Sequence, residues 1–316
     1  MLENFRLKVF RAVAEQRNFR RAAEQLYLSQ PAVTQQIKAL EESVGAPLFD
    51  RTGREITLTP AGEILLRQAK QSGLILDKAL EEIAALRGEL IGPLRVAAST
   101  TIAQYVLPSI LGQFVRLHPA VHAELESANT EAVVTAVLDG SAALGLIEGP
   151  AHRRELQMEP WLRDELVLVV PQNHEWAAST ISSDQLRGVR LLMRERGSGT
   201  RETIERALEK AEIDPKSILC AMELNSTEAI LACIEAGLGI GFVSRSAIRR
   251  QLALNTLAMV AVDGLDIHRT FTLLTLPGPE PQGSTAALLN HLREYRQQDE
   301  AAKSTRQRAR KGASRS

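Results

Sequence analysis

Three turns of the sequence carry hydroxyl or amide side chains where a strand pattern gives way to a helix pattern. They are Ser99-Thr100-Thr101, Ser198 with Thr200, and Asn225-Ser226-Thr227. Backbone N–H groups at a helix start have no partner inside the helix and carry the positive end of its dipole. With hydroxyls beside them they make a site for a small anion. Gly197 and Gly199 let the backbone approach a ligand closely, and Arg196 and Arg201 offer charge. Asn129 and Glu148 join the candidates, Glu148 either accepting from a ligand donor or pairing with an arginine. Taken singly, each of these Ser, Thr and Asn positions reads more readily as a helix cap. Three such turns facing one cleft point to binding.

A second chemistry lies nearer the N-terminus. Ser29 caps a helix that carries Pro31 in its first turn, where a missing N–H costs nothing, and Gly45 ends it. Val33, Ile37, Leu40 and Val44 form one buried stripe, while Gln30, Pro31, Thr34, Gln35 and Lys38 lie at or near the opposite face. Gln can read adenine through two hydrogen bonds, and Lys meets phosphate. A shorter helix, Phe19 to Leu26, precedes it behind Asn18 as cap, and Tyr27-Leu28 makes a tight connection. The pair fits a helix-turn-helix. Leu48 to Leu58 then reads as a hairpin, with Gly53 at the turn and Arg51 and Arg54 flanking it, a wing that would set cations against DNA. A small helical interaction domain with a solvated polar face has the same helix pattern.

The elements that must position these groups follow from periodicity. A first helix carries Leu2, Phe5, Val9, Phe10 and Val13 at helical spacing. Thr59-Pro60 opens a long helix to about Arg87, roughly 40 Å at 1.5 Å per residue. Leu65, Ala69, Ser72, Leu76, Ala79, Ile83 and Leu86 alternate spacings of four and three along it, a seam for a partner helix, weakened locally by Gly73. Packing on its own domain's core is the alternative. After a linker at Gly88–Pro93, strands near 94–98, 121–125, 143–147, 158–163, 165–170, 190–193, 219–224, 240–243, 258–262 and 269–276 alternate with helices near 103–117, 131–138, 201–211, 227–236 and 285–296. That is an α/β pattern, and two similar halves suggest two subdomains around a cleft. From about Ala301 the chain is polar and basic, with no means to bury a core, and reads as disordered.

Several classes are excluded. Lys+Arg and Asp+Glu are equal at 38 each, so the chain is no bulk polycation, although nucleic-acid binding needs only a local basic surface. Aromatics at 4% make a stacking platform for single strands unsuitable. Cys220 and Cys233 lie in no C-x-x-C and near no metal-spaced His, so they read as buried reduced thiols, and neither metal nor cofactor is expected. The N-terminus is amphipathic and carries acids, unlike a signal peptide, and no apolar run nears a membrane span, so a cytoplasmic location is expected. An α/β enzyme is the competing class, but no nucleophile elbow, Walker loop or H-E-x-x-H occurs, and the six histidines are scattered. A two-lobed small-molecule-binding protein without DNA function is disfavoured by residues 1–58.

In this order the parts resemble the LysR-type transcriptional regulators over about residues 2–297. The resemblance rests on Ala22-Ala23-Glu24-Gln25-Leu26, Leu28-Ser29-Gln30-Pro31-Ala32-Val33-Thr34, Gln36-Ile37, Leu40-Glu41, Leu48-Phe49, Arg51 and Leu58-Thr59-Pro60-Ala61-Gly62. Arg20 and Arg21 stand where a smaller residue often precedes the paired alanines, and the resemblance makes them added phosphate contacts. It implies a winged helix-turn-helix DNA-binding domain at 1–59 and a linker and dimerisation helix at 60–88. A periplasmic-binding-protein-like effector domain of two α/β subdomains follows at 89–297 (93–163 with 268–297, and 164–267), then a disordered basic tail at 298–316. It further implies a homodimer or homotetramer on promoter DNA, a small effector, RNA polymerase as partner and no enzymatic activity. Gly145 to Pro150, Glu223 to Ile230 and Arg194-Glu195-Arg196-Gly197-Ser198-Gly199-Thr200-Arg201 are similar to the branch holding regulators of cysteine and sulfite metabolism and of the Calvin cycle. Arg196 replaces that branch's usual Pro. A sulfur oxyanion or a small carboxylate or phosphate metabolite is the expected effector.

Overall fold

A computed structural model describes residues 4–51, 56–85, 87, 89–149, 153–177 and 179–313. The chain divides into two compact units, residues 1–92 with 139–141 and residues 93–138 with 142–316.

The first unit opens with α1 (Phe5–Gln16), α2 (Phe19–Leu26) and α3 (Gln30–Val44). The Asn18 side chain accepts from the Arg20 and Arg21 N–H groups at the start of α2, and Ser29 Oγ accepts from Ala32 N–H at the start of α3. Gly45 ends α3 at φ +75°, a conformation that suits a residue without Cβ. Val9, Phe10, Val33, Ile37 and Leu48 are fully buried together. Val44, expected in the buried stripe, is instead exposed, because the chain turns away directly after it. The hairpin pairs β1 (Phe49–Asp50) antiparallel with β2 (Thr57–Leu58), and its turn, with Gly53 and Arg54, lies outside the described residues.

Thr59 Oγ1 then accepts from Gly62 N–H and starts α4 (Pro60–Ala85). Leu65 and Leu66 are half-buried against the core of α1–α3. Further along, Leu76 is half-buried and Ile83 is exposed, while Leu86 lies outside the described residues. Among the described residues no helix is long and apolar enough to cross a membrane.

The second unit begins with β3 (Gly92–Ser99) and a π-helical turn at Ile102–Val106 that leads into α5 (Leu107–Leu117). Next come β4 (Val121–Ala128), α6 (Thr130–Leu138), β5 (Leu144–Ile147), β6 (Gln157–Pro171), β7 (Thr180–Ser182) and β8 (Arg190–Arg194). The chain continues through α7 (Gly199–Lys210), β9 (Leu219–Leu224), α8 (Thr227–Glu235), β10 (Gly241–Ser244) and α9 (Arg249–Ala253). It ends with β11 (Leu257–Asp263), β12 (Ile267–Thr275) and α10 (Gly283–Ala313). The main sheet has the order β4-β3-β5-β12-β6-β11-β7 with β10 also on β6, and β8 pairs with β9 in a second, two-stranded sheet. β6 and β12 pair antiparallel from Leu166–Ile267 to Gln157–Thr275. These two strands join a lobe with Ala97, Val133 and Ile147 in its core to a lobe built on Leu168, Ile204 and Phe242.

Three further expectations change. The strands expected at 158–163 and 165–170 are one strand, β6, because the charge that breaks the apolar pattern, Asp164, is buried against Arg269 rather than turned out to solvent. The tail expected to be disordered from 298 instead continues α10 to Ala313. Its Ala, Gln, Glu, Lys and Arg are good helix formers, and a helix already docked through Leu292 extends by one bond per residue without a new nucleus. Cys220, expected to be buried, is exposed on β9, whose sheet has only two strands.

Candidate functional site

The polar turns meet where the two lobes of the second unit face each other. Glu148, one residue beyond β5, lies at the centre and is buried. Its carboxylate accepts from Thr101 N–H (3.0 Å), the Thr101 hydroxyl (2.8 Å), the Thr200 hydroxyl (2.6 Å) and Arg269 Nη1 (2.6 Å). Arg269 Nε donates to Asp164 at 2.8 Å, and the Ser244 hydroxyl donates to the other Asp164 oxygen at 2.7 Å. Burial opposes the charge on Glu148, but Arg269 and the Thr200 and Thr101 donors outweigh it and hold the carboxyl below its ordinary range. The donors at these helix starts therefore already hold a carboxylate, and it comes from the protein.

A second buried cation sits beside this group. Arg194, at the end of β8, donates from Nη1 to the hydroxyls of Thr100 (2.7 Å) and Thr227 (3.5 Å), one from each lobe. Its Nε and Nη2 donate to the two carboxylate oxygens of Glu195 at 2.8 and 2.9 Å. Nearby, Ser99 and Thr130 share a hydrogen bond, and Gly199 N–H donates to Thr130 Oγ1. A Cβ on Gly199 would lie 2.7 Å from the Gly149 nitrogen, so the lobes touch here backbone to backbone, and glycine is required for that approach. Tyr105 closes another side, its O–H donating to Glu228 at 2.7 Å. Burial, that hydrogen bond and the Glu228 charge push the phenol pKa up.

Between α6 and the start of α7 opens a cavity of about 590 Å³, lined by Thr130, Glu131, Arg153, Arg196, Ser198 and Arg201 among others. Arg201 lines this cavity with its guanidinium engaged, donating to Glu205, Glu223 and the Arg194 carbonyl, and so braces Arg194. Among the described residues the Arg153 and Arg196 side chains have no hydrogen-bond or ion-pair partner, which leaves them as the available charges of the cavity.

Of the candidates read from sequence, Ser99, Thr100, Thr101, Glu148, Ser198, Thr200 and Thr227 are brought together and buried, with Arg196 at the cavity. Asn129 caps α6, its side chain accepting from Ala132 N–H. Asn225 is exposed and leaves the capping of α8 to Ser226, so it does not join the buried set. Sequence reasoning missed Arg194, Asp164, Arg269 and Thr130. The signal for three of them was available: a charge at or inside an apolar strand is buried only if paired, and so marks a partner elsewhere.

In the first unit, Gln30, Pro31, Gln35 and Lys38 are exposed on α3. The Thr34 hydroxyl donates to the Gln30 carbonyl and Ser29 is committed to its cap. Arg20 is exposed and pairs with Glu24. Arg51 pairs with Glu41 at 3.1 Å and lies 5.0 Å over the Phe19 ring, so part of its work is to fasten the wing to α2 and α3.

Both units match known families. Residues 5–63 match the bacterial regulatory helix-turn-helix proteins of the lysR family, and residues 87–297 match the LysR substrate binding domain. The chain belongs to the LysR family. It is a LysR-type transcriptional regulator, with a helix-turn-helix start and an α/β effector domain. A probable RuBisCO transcriptional regulator of Synechocystis sp. is 35% identical over 293 residues, 90% of this chain and 84% of that one. The regulator CysL of Bacillus subtilis is 35% identical over 272 residues, 86% of this chain and 90% of that one. These two are similar on the branch that the effector-domain motifs indicate. Among solved structures, full-length CbnR complexed with target DNA aligns at TM-score 0.67 and 26% identity over 92% of this chain and 98% of that one. The CcmR regulatory domain of Synechocystis PCC6803 in complex with 2-PG aligns at TM-score 0.60 and 27% identity, over 65% of this chain and 97% of that one.

Proposed function

We propose that this LysR-type regulator binds promoter DNA as a homodimer or homotetramer and that a small anion held between the lobes of its effector domain sets its activity. The observation that carries the effector reading is the cleft itself. Hydroxyls from four helix starts meet there beside a buried arginine, and the adjoining cavity of about 590 Å³ has Arg153 and Arg196 available. Donors of this kind favour a sulfur oxyanion, a carboxylate or a phosphate ester over an amine or a hydrophobe. The 2-PG complex of the Synechocystis domain supports an anionic class.

The exposed face of α3, with Gln30, Pro31, Gln35 and Lys38, supplies the DNA contacts, assisted by Arg20, Arg51 and Arg54. The relative complexed with its target DNA supports this assignment. The half-buried and exposed apolar residues Leu76 and Ile83 of α4 supply the dimer contact, extended by Leu86. The protein acts in the cytoplasm, where RNA polymerase is its partner, and catalyses no reaction. An anion that binds one arrangement of the two lobes more tightly than another shifts the population between them, and that differential affinity is the regulatory signal.

Calorimetry on the full-length protein tests the effector reading. Sulfite, inorganic phosphate, small carboxylates and phosphate esters are titrated beside neutral and cationic compounds, and DNA affinity is followed by fluorescence anisotropy. Binding of one of the anions, with a change in DNA affinity at the same concentration, is the expected result. Tight binding of a cationic or neutral compound with no response to any anion refutes it.

A further inference from the structure

The two buried arginines of the cleft differ in how their counter-ions are held. Arg269 is locked by Glu148 and Asp164, both buried as deeply as itself. Arg194 is 1% exposed, yet among the described residues its only carboxylate partner is its chain neighbour Glu195, whose side chain is 19% exposed. Glu195 lies in the loop between β8 and α7, next to Arg196 of the open cavity. Its backbone is pinned, since Glu195 N–H donates to the Leu224 carbonyl and the Arg194 carbonyl accepts from Arg201. The Glu195 carboxylate thus already reaches solvent beside a fixed backbone, whereas those of Glu148 and Asp164 are enclosed.

We infer that Arg194 is the effector's principal counter-ion and that Glu195 is a built-in competitor, which an incoming oxyanion displaces. This rests on the reading that an anion binds in this cleft. Two oxygens of one carboxylate now occupy Nε and Nη2, the fork that a guanidinium offers to carboxylate, phosphate or sulfite. The site is thus already shaped for a pair of oxygens on one atom. Thr100 and Thr227 accept from Nη1, so each has its own hydroxyl proton free to donate to a ligand, one from each lobe. An oxyanion on Arg194 would therefore be held from both lobes at once. It cannot simply add to the present arrangement: the fork is full, and two anions side by side on one cation repel each other. Exchange is required, and Glu195 moves outward to solvent, where its charge is cheap to keep. The effector class follows as a compact ligand with a terminal carboxylate, phosphate or sulfur oxyanion, its remainder directed toward the cavity that Arg196 lines.

The test uses the full-length protein with Glu195→Gln and Arg194→Gln, titrated calorimetrically with sulfite and with inorganic phosphate, and with the melting temperature followed in parallel. Glu195→Gln should bind the anion that wild type binds at least ten-fold more tightly, because the competitor has lost its charge. It should melt lower than wild type in anion-free buffer and gain more than wild type on adding phosphate, because the anion restores a partner to a buried guanidinium. Arg194→Gln should bind at least ten-fold more weakly. Equal affinity of wild type and Glu195→Gln overturns the exchange while leaving the anionic effector reading intact. Unchanged affinity in Arg194→Gln overturns the choice of counter-ion. Failure of both wild type and Glu195→Gln to bind either anion overturns the inference and weighs against the effector reading as well.

Discussion

Replacing Glu148 by Gln keeps the shape at the centre of the cleft and removes only the charge. One carboxylate oxygen accepts from the Thr101 hydroxyl, the Thr200 hydroxyl and Arg269, and the other accepts from Thr101 N–H. Whichever way the amide turns, its NH₂ faces donors. The two hydroxyls can rotate to accept, but a guanidinium and a backbone N–H cannot. Breaking one partner of a buried pair costs about 3–5 kcal/mol, and the value here lies at the lower end because Asp164 still holds Arg269. About 3 kcal/mol in a unit of this size lowers its melting temperature by roughly 6–12 °C. Calorimetric melting of wild type and Glu148→Gln, as a function of pH, measures it. The carboxyl is held below its unfolded value of 4.5, so its contribution is complete above that value and is lost as pH falls through the folded one. The gap between the two proteins should therefore be constant from pH 7 to pH 5 and narrow as the pH falls below that. A cost under about 1 kcal/mol at pH 7, or a gap that widens in acid, refutes the assignment of Glu148 as a charged, paired group.

Gln35→Ala should cost about 1–3 kcal/mol on cognate DNA and less on random DNA, read by anisotropy, with equal losses on both counting against base readout. Arg51→Ala should weaken binding to both DNAs and also lower the melting temperature of the first unit modestly, through the lost contacts to Glu41 and Phe19, by less than about 1 kcal/mol for so exposed a pair. Leu76→Asp with Ile83→Asp should leave a folded monomer in sedimentation, and a dimer would remove α4 from the interface. Gly199→Ala should destabilise the effector domain by about 1–3 kcal/mol and weaken anion binding, since its Cβ collides with the backbone of Gly149.

Short-range physics along the chain accounts for much of the secondary structure. Caps at Asn18, Ser29 and Thr59, the Gly45 stop and the apolar periods place the helices of the first unit and most strands of the second. The specific run of residues from Ala22 to Gly62 identifies the helix-turn-helix. Helix starts bearing Thr100, Thr200 and Thr227 were legible as donors for the same reason: a cap and an anion site use the same free N–H groups.

Which charges answer those donors was decided only by the tertiary structure. Arg269 meets Glu148 across 121 residues and Arg194 meets Thr100 across 94, pairings that no local pattern encodes. Asp164 breaks an apolar run and so looked like a strand end, yet burial beside Arg269 makes it the middle of β6. Arg201 lines the cavity, but its partners Glu205 and Glu223 come from positions that no motif marks. Leu65 fits the spacing of a seam and also packs on the core of α1–α3, which only the fold reveals. In each case the residue's type fixes what it can bond to, while its actual partner depends on which distant segment the fold brings within about 3 Å.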